Sequence, residues 1–280
     1  MLLLVGGGVA LIGAPPVQQY NLTGAGVPTD SVTGVGTVPN GGYVLSIALA
    51  GLRAELQRRH PLSVTAHYLG PCVAGPVEVA VETLKAGRSL STASAHLIQD
   101  GRVKLAVLAT FGDLGLQEGP SRVTAARPVI PEPEECAGRD QRMTNPFPVA
   151  PEITKVIDLR LAPASATAML AQPANAGGGA RIDAWVRFAD GRPVDVDSLP
   201  LLCDALPPAV FTVMRTGWVP TLELTVHVRG LPKPDWLQAV ITSRAIINGL
   251  LEEDCELWDR EGNLVAMSRQ LARVLPPQPA

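Results

Sequence analysis

The chain has 280 residues, of which 46% are hydrophobic and 18% are charged, as expected for a globular protein with one large or two modest domains. Its formal net charge is -3 and its arginines are scattered along the sequence. These features predict neither nucleic-acid binding nor attraction to an anionic membrane surface.

The cysteines and the N-terminal segment indicate the cellular compartment. The four cysteines lie far apart with no CxxC spacing, which favours reduced thiols. Residues 1–13 are apolar, but they lack the basic residues that begin a signal peptide and are too few to cross a bilayer. We therefore expect a cytoplasmic protein without membrane insertion. The same segment does not fit a dinucleotide-binding loop, because Leu11 stands where the third glycine belongs.

The first half of the chain reads as one helix followed by four strands. Residues 20–38 predict loops with at most a weak strand, and residues 43–59 predict a helix with leucines spaced by three and four. Strands are predicted at 62–69, 76–84, 91–99 and 103–111, the last two joined by a hairpin turn at Asp100-Gly101. The connections are short, so the strands are expected to pair antiparallel under a long helix.

The same order of elements returns in the second half. Residues 116–151 are proline-rich and predict a linker. Strands are then predicted at 153–161 and 181–188, a helix at 196–211, and strands at 222–228, 236–246, 254–258 and 264–274. Residues 64–67 (VTAH) also return as residues 224–227 (LTVH). We predict two repeats, at 1–115 and 152–280, joined by the linker at 116–151.

One carboxylate, Asp204, stands in the otherwise apolar segment 200–211. A buried carboxylate needs partners or a function, although on this segment alone an aspartate at a helix start or on the surface is the commoner case. The sequence contains no GxSxG, GxxxxGK[ST] or HExxH motif, and its four histidines are not at metal-ligand spacings. Hydrolysis would therefore need a carboxylate and polar groups that direct a water molecule.

Several segments together resemble the acyl-CoA thioesterase II family. They are residues 39–43 (PNGGY), 81–84 (VETL), 87–89 (GRS), 202–208 (LCDALPP), 217–224 (GWVPTLEL), 264–266 (LVA) and 268–270 (SRQ). The resemblance implies an α+β double hotdog fold, in which each of two repeats has a long helix packed on an antiparallel β-sheet. It also implies hydrolysis of fatty acyl-CoA to free fatty acid and CoA, with no metal or organic cofactor.

The resemblance further implies that Asp204, Thr221 and Gln270 position and activate the hydrolytic water. A carboxylate can accept the proton of the water, while a hydroxyl and an amide can fix its orientation. As a separate hypothesis, Gly41 and Gly42 at a helix start would supply N–H donors to the oxyanion. The first half has no counterpart of Asp204, so we expect one active site per chain.

Two other functions remain open at this stage. A non-catalytic acyl-CoA-binding hotdog protein would keep the substrate channel, with Thr221 merely beginning a strand and Gln270 facing solvent. A hydratase-type enzyme is disfavoured because no Asp/His pair stands at a suitable spacing. The sequence leaves open the acyl chain length and the oligomeric state, including a homo-oligomer.

Overall fold

The structure of the protein is a computed structural model that describes residues 16–22, 33–35, 38–138, 152–171 and 179–276. The predictions for the apolar segment 1–13, and for part of the linker at 139–151, lie outside the described residues. The boundaries proposed for the two repeats and the linker stay a prediction.

The described residues form three helices and fourteen strands, most of the strands in one antiparallel sheet. In chain order they are β1 Val17–Asn21, β2 Thr33–Val35, β3 Val38–Pro39, α1 Gly41–Leu56, β4 His60–Tyr68, β5 Pro76–Ala86, β6 Ser91–Gln99, β7 Arg102–Gly112, β8 Ile157–Leu161, α2 Pro163–Leu170, β9 Ala180–Phe188, α3 Leu199–Asp204, β10 Thr221–Val228, β11 Leu237–Ser243, β12 Ile246–Ile247, β13 Leu250–Trp258 and β14 Leu264–Arg273. The main sheet has the order β1-β5-β6-β7-β4-β10-β14-β13-β11-β9-β8, with β12 paired to β13.

The predicted helix and strands of the first half are all present. Helix α1 begins after Asn40, whose side chain accepts a hydrogen bond from the Tyr43 N–H at 3.1 Å. The helix packs across β4, β5, β6 and β7, burying its leucine stripe against them. Strands β6 and β7 are joined by Asp100 and Gly101, with φ of 50° and 68°, as a tight hairpin turn requires.

The prediction of a second long helix at 196–211 is wrong. Helix α3 has six residues, and a short 3₁₀ turn, Ala209–Thr212, follows it. The cause is Pro207-Pro208, because proline lacks a backbone N–H and disfavours helical backbone in the residue before it. The second half therefore keeps the order of the first half but with a much shorter central helix.

Three smaller predictions in the second half also need correction. Residues 152–155 form a 3₁₀ turn, so β8 begins at Ile157. The strand predicted at 236–246 ends at Ser243, and β13 begins at Leu250, four residues before the predicted start at 254. Helix α2 was not predicted, because its alanine-rich sequence has no apolar period.

The two halves join where β4 pairs with β10 in the middle of the sheet. Thr65 lies opposite Thr225, and their hydroxyls are hydrogen-bonded at 3.0 Å. One continuous apolar core runs through both halves. Helix α1 contacts α3, and α3 also packs against β10, β13 and β14. These contacts bring the start of α1 and the end of α3 together.

Candidate functional site

Asp204 lies at the C-terminal end of α3, with its carboxylate directed at the start of α1. Its Oδ2 atom accepts a hydrogen bond from the Gly42 N–H at 2.7 Å and another from Asn40 Nδ2 at 3.1 Å. Among the described residues, no hydrogen bond reaches Oδ1. One carboxylate oxygen is thus held by the protein, and the other is left for a further partner.

The environment of Asp204 favours a carboxyl group that titrates near neutral pH. Burial raises the pKa of Asp204 to about 6, while the hydrogen bonds from Gly42 and Asn40 act in the opposite direction. The first turn of α1 also presents the positive end of the helix dipole. A carboxyl group with such a pKa is ionised above pH 6, yet basic enough to accept a proton.

Gly41 and Gly42 allow the close approach of α3 to α1. A Cβ atom at Gly42 would lie 2.9 Å from Leu201 Cα and 2.9 Å from Asp204 Cβ, closer than real Cβ atoms come. A Cβ atom at Gly41 would lie 3.1 Å from Asp204 Oδ2 and 3.0 Å from Tyr68 Cε1. Any larger residue would push Asp204 away from the N–H group that holds it.

Thr221 and Gln270 are in direct contact. Thr221 begins β10, and its hydroxyl donates to Gln270 Oε1 on β14 at 2.7 Å. Gln270 Nε2 donates in turn to Glu253 Oε1 on β13 at 2.6 Å. The other oxygen of Glu253 accepts the Ala209 N–H at 2.6 Å. Four groups therefore form one line of hydrogen bonds, and its direction is fixed by the carboxylate of Glu253, which accepts from both the Ala209 N–H and the Gln270 amide.

Glu253 is 5% exposed, and it anchors this line. Burial raises the pKa of Glu253 to about 7, against the lowering effect of the Ala209 and Gln270 hydrogen bonds. The charge of Asp204 raises that pKa further, so the two carboxylates are close enough to influence each other. Both oxygens of Glu253 accept hydrogen bonds, which suits its ionised form.

The predicted residues thus fall into two neighbouring groups. Thr221 and Gln270 share a hydrogen bond, while Asp204 bonds to the start of α1. In the described part of the chain no hydrogen bond joins Asp204 to Thr221 or Gln270. The groups adjoin because α3, which carries Asp204, packs against β10, β13 and β14.

Sequence reasoning missed Asn40 and Glu253. Glu253 alternates with Leu251, Cys255 and Leu257, all buried on the same face of β13, but the predicted strand began too late to reveal that pattern. Asn40 was recognised only as part of a matching segment. Its position before a glycine-rich helix start is typical of an N-cap, which does not predict a bond from its amide to Asp204.

The described residues contain no group of three or more His, Cys, Asp or Glu side chains arranged to hold a metal ion. None of their helices is long and apolar enough to span a membrane. All four cysteines are buried and unpaired.

Comparisons with known proteins identify the family. The N-terminal domain of acyl-CoA thioesterases matches residues 29–112, and the C-terminal domain of acyl-CoA thioesterases matches residues 133–274. An uncharacterized protein of Mycobacterium tuberculosis is 30% identical over 246 residues, covering 80% of this chain and 79% of that protein. The chain belongs to the acyl-CoA thioesterase family.

Solved structures agree with this fold. A candidate thioesterase II from Thermobifida fusca has a TM-score of 0.78 and 29% identity, with 92% of each chain covered. A hot dog protein of unknown function from Alicyclobacillus acidocaldarius has a TM-score of 0.76 and 21% identity, with 97% of each chain covered. The predicted family and the antiparallel hotdog fold are confirmed.

Proposed function

We propose that the protein hydrolyses fatty acyl-CoA to free fatty acid and CoA, using a water molecule directed by Asp204, Thr221 and Gln270. The observation that carries the proposal is the carboxylate of Asp204, half-buried and held through one oxygen beside the Thr221–Gln270 pair. Placing a polar cluster beside an apolar core lowers stability unless every group is paired. Groups kept at such a cost are typical of functional sites.

Asp204 acts as the general base. Gly42 and Asn40 hold Oδ2, so Oδ1 is the oxygen that takes a proton from the attacking water. The water oxygen bonds to the thioester carbonyl carbon, and the C–S bond breaks as the tetrahedral intermediate collapses. The proton on Asp204 then passes to the departing sulfur and yields free CoA thiol.

Thr221 and Gln270 orient the water. The Thr221 hydroxyl donates its hydrogen bond to Gln270 Oε1, so its lone pairs remain available to accept a hydrogen bond from the water. The second lone pair of Gln270 Oε1 also remains available to accept a hydrogen bond from the water. Glu253 holds the amide of Gln270 in this orientation by accepting from its Nε2 atom. The reversed amide would place Gln270 Oε1 against Glu253 Oε1, and two acceptors cannot form a hydrogen bond.

The start of α1 stabilises the carbonyl oxygen as it gains negative charge. In this proposal Gly41 supplies an N–H donor with the support of the helix dipole, as its place at the first helical position allows. Gly42 has a different role from the one first assigned to it, because its N–H holds Asp204. The acyl chain lies in an apolar channel between helix and sheet.

Release of free thiol from acyl-CoA of graded chain lengths by the purified protein tests the proposal. Asp204→Asn is expected to lower kcat about 10²- to 10⁴-fold, because it removes the base while nearly keeping the shape. The wild-type rate should rise with pH through about 6, where Asp204 ionises.

Asp197→Asn is the matched control. Asp197 lies in the loop before α3 and forms an ion pair with Arg53 of α1, so its loss should leave kcat unchanged. A wild-type kcat in Asp204→Asn would contradict the proposed mechanism. Tight binding of acyl-CoA with no thiol release at any chain length would instead favour the non-catalytic binder.

A further inference from the structure

The hydroxyl of Tyr68, at the end of β4, is buried and has no hydrogen-bond partner among the described residues. The other two tyrosine hydroxyls are paired: Tyr43 donates to the Leu22 carbonyl at 2.7 Å, and Tyr20 donates to Gln18 Oε1 at 2.5 Å. Leaving a buried hydroxyl unpaired destabilises a protein by about 1–3 kcal/mol. Such a group in a folded protein calls for an explanation, and a catalytic role is one of them.

Tyr68 and Asp204 flank the same point at the start of α1. A Cβ atom built on Gly41 would lie 3.2 Å from Tyr68 Cζ and 3.1 Å from Asp204 Oδ2. The phenolic end of Tyr68, and not merely its ring, is therefore the part beside Gly41. Although Tyr68 comes from the first half of the chain, it borders the base that the second half supplies.

Tyr68 is suited to donate a hydrogen bond. Burial, together with the nearby charges of Asp204 and Glu223, raises the pKa of Tyr68 well above its ordinary value. The hydroxyl consequently keeps its proton whenever Asp204 is ionised. The adjacent Gly42 N–H is already bonded to Asp204, so among the described residues the unpaired side-chain donor beside Gly41 is the Tyr68 hydroxyl.

We propose that Tyr68 is a catalytic residue whose hydroxyl donates a hydrogen bond to the thioester carbonyl oxygen, next to the Gly41 N–H. This role rests on the proposed hydrolase function. When the water oxygen bonds to the carbonyl carbon, the C=O electron pair moves onto the oxygen, and Tyr68 stabilises the resulting oxyanion without giving up its proton. The C–S bond then breaks, and the sulfur takes its proton from Asp204.

Tyr68→Phe tests this role because it removes only the hydroxyl. We expect kcat to fall about 100-fold with little change in KM, which is the effect of losing one oxyanion donor. The melting temperature should stay the same or rise, because the lost hydroxyl had no protein partner.

Tyr43→Phe is the matched control on the neighbouring helix. It removes the bond to the Leu22 carbonyl, so its melting temperature should fall while kcat per folded molecule stays at the wild-type value. The opposite pattern in the two variants separates a catalytic hydroxyl from a structural one.

A readout without turnover uses an acyl-CoA analogue whose sulfur is replaced by methylene, which leaves an unreactive ketone. Its carbonyl stretch, measured by isotope-edited infrared spectroscopy, should lie at lower frequency on wild type than on Tyr68→Phe. Wild-type kcat in Tyr68→Phe, or a fall in kcat with an unmoved carbonyl stretch, would overturn the role of Tyr68 and leave the hydrolase function standing. Failure of the wild type to release thiol would overturn both.

Discussion

The two halves of the sheet are built alike, but the hydrogen-bonded line of Thr221, Gln270 and Glu253 occurs only in the second half. Thr65 and Thr225 face each other across the central β4–β10 pair, so positions can be compared by counting from these two residues. Counted this way, β4, β6 and β7 of the first half correspond to β10, β13 and β14 of the second.

Equivalent positions then differ sharply in polarity. Gln270 on β14 pairs with Glu253 on β13, whereas the matching pair in the first half is Ala109 with Ala93. The two alanines are fully buried in the apolar core. The fold therefore needs no polar group at these places, which supports the roles proposed for the glutamine and glutamate of the second half.

The strand that follows each helix shows the same contrast. Thr221 begins β10 and lies four residues before Thr225. The residue four positions before Thr65 in β4 is Pro61. Both strands have a register shift just after this point, between Pro61 and Ser63 and between Thr221 and Glu223. The bulge belongs to the shared architecture, but only the second half places a hydroxyl there.

Gln270→Ala would place in the second half the alanine that stands at the equivalent position, Ala109, of the first half. Among the variants that test this comparison, it is expected to lower kcat most. Kinetic assays should show kcat reduced about 10²- to 10³-fold, because the Thr221 hydroxyl loses its acceptor and Glu253 loses one of its two donors. Gln238→Ala is the control, since this buried glutamine on β11 accepts a bond from Arg127 away from the site. Equal activity in the two variants would contradict a role for Gln270.

Glu253→Gln is expected to lower kcat about 10- to 100-fold. The new amide can accept only through one oxygen, so either the Ala209 N–H loses its acceptor or the Gln270 amide must reverse. In either case the Gln270 amide holds the Thr221 hydroxyl less firmly in its orientation. An unchanged kcat would show that Glu253 does not position Gln270.

The pH dependence of stability gives a second readout for Glu253. Its folded pKa, about 7, is above the ordinary value of 4.5, so the folded state binds the proton more tightly than the unfolded state. The free energy of unfolding should therefore fall as pH rises from about 4.5 to 7, and chemical denaturation should show a smaller fall in Glu253→Gln. An equal fall in both proteins would count against a buried, ionising Glu253.

Much of the fold follows from sequence because its signals are local. The leucine spacing of α1 and the Asp100-Gly101 turn each reflect one short segment, and both are present in the structure. The second helix is shorter than its apolar sequence predicts, because Pro207-Pro208 follows it. Apolar composition does not decide the length of a helix where two consecutive prolines restrict the backbone.

The candidate site was only partly predictable because its contacts join distant segments. Asp204, Thr221 and Gln270 were named from their resemblance to a family, and not from their own pattern. The bond from Asn40 to Asp204 spans 164 residues, and nothing local in either segment indicates it. Glu253 was hidden by neighbouring acids that lower strand propensity, although its alternation with Leu251 and Cys255 carried the signal.

Gly42→Ala is expected to have the smallest effect on kcat, about 10-fold, and it tests whether the start of α1 is part of the site. The added methyl group would meet the backbone of Leu201 at 2.9 Å, and backbone cannot move aside as a side-chain end can. Helices α1 and α3 must separate, which lengthens the bond between the Gly42 N–H and Asp204. Overpacking of this kind destabilises by about 1–3 kcal/mol.

Gly51→Ala, on the same helix, separates the loss of packing from the loss of the site. Its methyl group would lie 2.7 Å from Val79 Cγ1 on β5, so this variant also strains the packing of α1 but far from Asp204. Thermal melts should show both variants altered, whereas only Gly42→Ala should have a lower kcat per folded molecule. If Gly51→Ala lost as much activity, the decline would reflect a general loosening of α1, and the contact between Gly42 and Asp204 would have no special part in it.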